Sequence, residues 1–343
     1  MKKVIVTGVT GQVGSYMVEY LLKNTDFQIF GAIRRLSVPN HKNIEHIKND
    51  RFKIIEMDLS DAHSINHCIE EIKPDFFINF AANSYVGFSW KMPINHFEVN
   101  TLAVMHQLES IRKHCPNCKY YNAGSSEEFG DVAYTPQDSN HPLRPRSPYG
   151  ASKASARQIV KVWRDSYNLF AIQGWLFNHE SERRGLEFVT RKITNKVAKI
   201  KKAIESGDSF EPLELGNMES KRDWSHAEDF VHGIWLMLNQ ESPKEYVLAS
   251  GETHSVKEFV DIAFTEALGG SLVWRGAEKD TQLLYNDTVV VRVNPKFYRP
   301  AEVDLLLGDP SEAENGLEWK KSVDFSQLVS RMVRNDIEET NAT

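Results

Sequence analysis

Along the first half of the chain, short runs of apolar and β-branched residues alternate with longer segments whose apolar positions recur every three or four residues. The first pattern suits buried strands and the second suits helices that show one face to a sheet. Their alternation predicts βαβ units wound around a parallel sheet. Strands are expected over 3–7, 28–33, 52–57, 76–80 and 119–122, with helices over 14–23, 62–72 and a single long one over 95–113. A further helix over 149–167 precedes a strand over 171–177. The second half is less regular: helices over 189–204, 227–238 and 256–268 are separated by short strands such as 213–215 and 246–248. Proline- and glycine-containing joints fall at 142–148, 205–212 and 297–300, and no internal repeat stands out. The expectation is an α/β protein. A doubly wound parallel-sheet domain spans 1–177, and a smaller mixed α/β lobe spans 178–343, with some of its segments crossing back to the first domain.

Composition changes this picture little. At 343 residues, 41% hydrophobic and 26% charged, the chain has the make-up of an ordinary globular protein with a sizeable core. Its net charge of -6 argues against a nucleic-acid binder held by phosphate neutralisation. The apolar run at the N-terminus is too short for a signal-peptide core, and no later run approaches the length of a membrane span. Three cysteines, Cys68, Cys115 and Cys118, suit a reducing cytoplasm. Cys115 and Cys118 have redox-pair spacing, but no second pair completes a zinc site, and two reduced thiols at a helix-to-strand junction are the expectation. No metal site is expected.

Chemistry enters with Thr7-Gly8-Val9-Thr10-Gly11-Gln12-Val13-Gly14, which follows a strand directly and opens a helix. The glycines serve a tight turn, close approach of backbone to a pyrophosphate, and packing of helix on strand. The helix N-terminus then offers unpaired N–H groups to phosphates. This strand–turn–helix context predicts a Rossmann dinucleotide site. An NAD site usually has an acidic residue after the second strand. Here Arg34 and Arg35 stand there, and guanidinium groups suit a phosphate monoester, so the expected cofactor is NADP. Asp58 and Leu59 end the third strand, where they can flank the adenine. Phe80, Ala81, Ala82, Asn83 and Ser84 end the fourth, where small residues let the nicotinamide half pass close to the backbone.

Tyr149 and Lys153 lie four residues apart at the start of a helix, which places them on one face. A nearby ammonium favours the phenolate, so the tyrosine can act as a base on a sugar hydroxyl. Downstream of a phosphate-binding glycine turn, this pair is a signature of short-chain dehydrogenase/reductase proteins. The preceding strand ends in Gly124-Ser125-Ser126-Glu127-Glu128, which supplies a hydroxyl to polarise the reacting oxygen and a carboxylate beside it. Once C4 of a hexose is a ketone, its C5 proton is acidic and a placed glutamate can remove it. Spacing leaves Glu127 and Glu128 both open for that task, with Glu127 preferred for its adjacency to the serines.

These residues, together with Asn178-His179-Glu180-Ser181, Arg183-Arg184-Gly185, Phe188-Val189-Thr190-Arg191-Lys192-Ile193, Lys221-Arg222-Asp223-Trp224 and Arg299-Pro300-Ala301-Glu302-Val303-Asp304, resemble the GDP-mannose 4,6-dehydratases of the extended short-chain dehydrogenase/reductase superfamily nearly end to end. The resemblance implies a catalytic set of Ser125, Glu127, Tyr149 and Lys153. It implies cofactor contacts at Gly8, Thr10, Gly11, Gln12, Val13 and Gly14, at Arg34, Arg35, Asp58 and Leu59, at Phe80, Ala81, Ala82 and Ser84, and at Tyr149, Lys153, His179 and Arg184. It implies GDP-sugar contacts at Asn178, Val189, Lys192, Arg222, Arg299 and Glu302, with Ser84, Ser125 and Glu127 facing the sugar. Lys192, Arg222 and Arg299 suit a diphosphate and Glu302 suits ribose hydroxyls. The family pairs subunits through helices like 95–113 and 149–167 and also forms tetramers, so a homodimer or homotetramer is expected.

The chain departs from the family pattern at several points. Ser125 stands for a usual threonine, Val13 for an aspartate, Glu182 for a proline, and Asn83 and Tyr85 for a glutamine and a histidine. Leu36-Ser37-Val38-Pro39 replaces consecutive serines. These changes fit a pocket altered to take a sugar with an extra carbon at C6. The expected reaction is 4,6-dehydration of GDP-D-glycero-D-manno-heptose or GDP-mannose, with the departures favouring the heptose and with NADP tightly bound and recycled. The alternatives are a sugar-nucleotide epimerase or reductase on the same scaffold and a non-catalytic NADP(H)-sensing protein.

Overall fold

The computed structural model describes residues 1–298 and 305–342. Six strands follow the predicted rhythm: β1 (Lys3–Thr7), β2 (Gln28–Ile33), β3 (Phe52–Glu56), β4 (Phe76–Asn79), β5 (Lys119–Ala123) and β6 (Ala171–Leu176). The chain then forms β7 (Asn178–Glu180), β8 (Leu213–Leu215), β9 (Lys221–Arg222) and β10 (Trp224–His226), and returns as β11 (Val247–Leu248) to pair with β6. The resulting sheet has seven parallel strands in the order β3-β2-β1-β4-β5-β6-β11. From β1 the chain builds outward first to one side and then to the other. That reversal opens a crevice at the carboxyl ends of β1 and β4, where ligands of such sheets bind.

Helices cover both faces because successive strand residues point opposite ways. Val4 and Val6 of β1 pack toward α1 (Gln12–Asn24), and Ile5 packs toward α2 (Ala62–Ile72). Short helices α3 (Val86–Ser89) and α4 (Pro93–Phe97) precede α5 (Ala103–His114) and α6 (Pro148–Tyr167), which complete the second face. In the C-terminal half come α7 (Val189–Ser206), α8 (Ala227–Leu238) and α9 (Val256–Leu268); α8 packs beside α1 on the first face. A separate core joins α7, α9 and the last long helix, Phe325–Ala342, to a four-stranded sheet.

Two differences from the sequence reading have physical causes. The expected continuous helix over 95–113 is instead α4, a π turn at Glu98–Leu102, and α5. At the wide turn Asn100 holds the backbone of Asn83 from both sides, at 2.9 and 3.0 Å, and Thr101 donates to the Ser152 carbonyl at 2.8 Å. Such insertions recur at functional sites. The second difference is an unanticipated β-hairpin, Gln282–Tyr285 against Thr288–Val293. Its two-residue turn puts both Asn286 and Asp287 at positive φ, which residues with short polar side chains tolerate best.

Candidate active site

The turn from β1 into α1 is a closely fitted cradle. Gly8 sits at φ +69°, in the left-handed region. A Cβ on Gly14 would lie 2.2 Å from the Gly8 carbonyl oxygen, so α1 packs directly on the turn. The Thr7 hydroxyl accepts the N–H groups of Phe80 and Ala81 at 3.1 and 3.0 Å, fixing the end of β4 beside the turn. It donates in turn to Asn79 at 2.6 Å, Asn79 donates to Asn122 at 2.7 Å, and Asn122 donates to Gln173 at 2.7 Å. Gln173 donates to Glu128 at 3.0 Å and to the Lys153 carbonyl at 2.9 Å. A buried row of hydrogen bonds thus crosses β1, β4, β5 and β6 from the glycine turn to α6. The Gln12 amide donates to the His179 carbonyl at 2.9 Å and accepts from Ser181 at 2.6 Å, tying α1 to β7. Glu182, where the resembling family carries proline, adds a second tie by accepting from Tyr16 at 3.0 Å.

Arg34 and Arg35 follow β2 and stand exposed at the crevice rim. Burial alone would push the Asp58 carboxyl up, but hydrogen bonds from Ser60 and the Arg34 charge outweigh it, and the net shift is downward.

The two glutamates after β5 separate cleanly. Glu128 is wholly buried: it accepts from the Ser125 N–H at 2.8 Å and from Arg157 at 2.6 Å. Its oxygens are committed to holding the turn. Glu127 lines the crevice with Ser125, Tyr149 and Lys153. Tyr149 and Lys153 share the inner face of α6, as their spacing requires. Burial pushes Tyr149 up to about 12; the Ser125 hydroxyl pulls it back and the Glu127 and Glu128 charges push it further. Burial drives Lys153 down to about 8, opposed by Glu128, and its amino group donates to the Ala123 carbonyl at 2.9 Å. Burial thus opposes the charged form of both groups, and the phenolate gains from any cation brought beside it.

The C-terminal half supplies the opposite wall. His179 donates from Nδ1 to the Phe177 carbonyl at 2.8 Å, and burial, with the Arg184 charge, brings its ring down to about 4, so it is neutral at pH 7. Arg184 lies 3.1 Å from Glu180 and over the Phe188 ring. Asn178, Val189, Lys192 and Arg222 complete this wall. Arg299 and Glu302 lie outside the described residues. Every other site residue predicted from the sequence lines one cavity of about 1210 Å³, larger than a single small ligand needs and sufficient for a dinucleotide beside a second nucleotide. Sequence reasoning missed Trp224, Phe297 and Tyr298, which also line it. Phe297 carries the Lys192 ammonium 3.6 Å from its ring centre. The available signal was two adjacent aromatics just before Arg299.

A glycine cradle at the switch point of a parallel sheet, facing a serine, tyrosine and lysine at the ends of β5 and α6, defines an extended short-chain dehydrogenase/reductase that uses a nicotinamide dinucleotide. Within that class the chain belongs to the GDP-mannose 4,6-dehydratase family, whose model, described as "GDP-mannose 4,6 dehydratase", matches residues 5–332. A GDP-mannose 4,6-dehydratase of Drosophila melanogaster is 44% identical, over 98% of this chain and 86% of that protein. One of Vibrio cholerae is 38% identical, over 98% and 94%. Many solved structures share the fold, among them the following two. A dTDP-glucose 4,6-dehydratase of Streptomyces venezuelae with NAD bound has a TM-score of 0.82 at 21% identity, over 99% of this chain and 98% of that one. The RMD protein of Pseudomonas aeruginosa complexed with NADPH has a TM-score of 0.77 at 19% identity, over 99% and 100%.

Proposed function

We propose that the protein is a GDP-sugar 4,6-dehydratase that uses tightly bound NADP and acts on a GDP-manno-configured sugar, with GDP-D-glycero-D-manno-heptose preferred to GDP-mannose. The observation that carries the reading is the division of labour after β5: one glutamate is locked into the fold and the next is delivered to the cavity with Ser125, Tyr149 and Lys153. An epimerase or reductase needs no such second carboxylate.

A nicotinamide dinucleotide held by the glycine turn, Arg34 and Arg35 would supply a hydride acceptor for C4 and a hydride donor for C6. The residues do the rest. Tyr149 takes the O4 proton, with Ser125 holding the same oxygen. A phenol held near 12 resists that role, so it requires added positive charge beside it, which Lys153 on the same helix face and an oxidised cofactor both supply. Glu127 removes the C5 proton and passes it to the departing C6 hydroxyl, which leaves as water, and the proton held by Tyr149 returns to C5 as C6 is reduced. Lys192 and Arg222 face the diphosphate, and Asn178 and Val189 position the nucleotide.

NADP rather than NAD is supported by Arg34 and Arg35 at the position where a carboxylate would bind ribose hydroxyls. The heptose is supported by Ser125, Asn83 and Tyr85, which line the cavity in place of the family's threonine, glutamine and histidine. We infer a homodimer or homotetramer whose subunits pair through α5, α6 and the π turn before α5, where Leu102, Val162 and Tyr167 are exposed. We also place the enzyme in the cytoplasm, where its three free cysteines stay reduced. Among the described residues no helix is long and apolar enough to cross a membrane.

The test is mass spectrometry of the purified protein incubated separately with GDP-mannose and the GDP-heptose, without added cofactor. Loss of one water, faster from the heptose, is expected. Product of unchanged mass would replace dehydration with epimerisation, and no reaction even with NADP supplied would leave a dinucleotide-binding protein without this activity.

A further inference from the structure

Beyond the main cavity lies a second of about 470 Å³, sharing Leu186, Lys192 and Phe297 with it. One wall is α7, from which Arg191, Lys192, Lys196 and Lys199 face it. The other carries Glu211, Glu214 and Arg292. Two of these cations are already committed: Arg191 pairs with buried Asp336 at 2.7 Å, and Arg292 pairs with Glu214 at 2.7 Å. Among the described residues Lys196 and Lys199 have no carboxylate partner, although Lys196 is half-buried. Positions 192, 196 and 199 follow one helix face, with successive rises of about 6 and 4.5 Å. Three ammonium groups therefore run in a row from the surface to the inner cavity, where Lys192 sits on Phe297.

Lysine side chains lay their stems on apolar surface and keep their ammonium groups hydrated, and Glu211 across the cavity pairs with neither Lys196 nor Lys199, so both heads are open to an incoming anion. We propose that the second cavity is an outer anion site for the diphosphate of the incoming GDP-sugar. Lys199 and Lys196 capture the phosphates and deliver them along α7 to Lys192. A basic, low-dielectric cleft focuses the field and raises association rates by about 10- to 1000-fold. This inference rests on the GDP-sugar reading and adds to it an entry route.

Stopped-flow association of GDP with the cofactor-loaded enzyme tests it. In Lys196→Gln/Lys199→Gln, association at low salt is expected to slow about 10-fold with dissociation unchanged, and to meet the wild-type rate at high salt, where screening removes steering. A defect that persists at high salt means structural damage to the pocket rather than capture, and overturns the proposal. A wild-type rate and salt slope in the variant overturns the outer site alone. Failure of the wild type to bind GDP overturns the GDP-sugar reading and this route with it.

Discussion

The two walls of the main cavity are built on opposite principles. On the dinucleotide side, buried side chains are bonded to one another: Thr7, Asn79, Asn122 and Gln173 run to Glu128, and Glu128 is closed by Arg157. On the nucleotide-sugar side the lining is cationic and aromatic, with Lys192, Phe297 and Tyr298 partly open. A cofactor that stays bound between turnovers profits from a rigid, fully satisfied bed. A substrate that enters and leaves each time profits from charge and exposed rings, which attract without locking. Ser125, Glu127, Tyr149 and Lys153, the residues proposed for catalysis, stand where the two meet.

That contrast can be broken at several points. Glu127→Gln at the seam is expected to lower kcat by about 1000-fold or more while the dinucleotide remains bound; undiminished kcat would remove Glu127 from the chemistry. Asn122→Leu in the buried row orphans a donor on Asn79 and an acceptor on Gln173, and is expected to cost roughly 3 to 4 kcal/mol in denaturant unfolding. An effect below 1 kcal/mol would show a bed that relaxes rather than a rigid one.

Acid sharpens the difference further. His179 is held at about 4 against an ordinary 6.5, so between these values the unfolded chain binds a proton that the folded chain refuses. Its contribution is fully present above pH 6.5 and is lost as pH falls toward 4, by roughly 3 kcal/mol. His179→Gln is expected to flatten stability against pH in that window; an unaltered slope would place the acid sensitivity elsewhere. At the rim, Arg34→Ala is expected to weaken NADP by about 10- to 100-fold and leave NAD binding untouched. Equal losses for both would deny the arginine its phosphate.

Local signals made much of this legible. The glycine turn, β1, β2, α2, α8 and α9 follow from periodicity and breakers within short windows, and Tyr149 and Lys153 follow from helical spacing. What escaped depends on partners far away in the chain. Asn79 and Asn122 read as polar interruptions of apolar strands, and only the sheet order β1-β4-β5-β6 sets them side by side. Glu127 and Glu128 are equivalent as neighbours; Arg157, 29 residues on, separates them by claiming one. The π turn likewise answers to Asn83 and Ser152, which lie outside its own segment.

The buried row also has a sense. Every donor in it points from Thr7 toward Glu128, and a carboxylate that can only accept fixes that direction at the far end. No member can be exchanged for a residue of other hydrogen-bonding character without stranding its neighbour. The consequence lies in descent: lineages of this protein are expected to keep the four residues together or replace them as a block. Comparing diverged copies for joint rather than single changes at positions 7, 79, 122 and 173 would reveal how long that constraint has held.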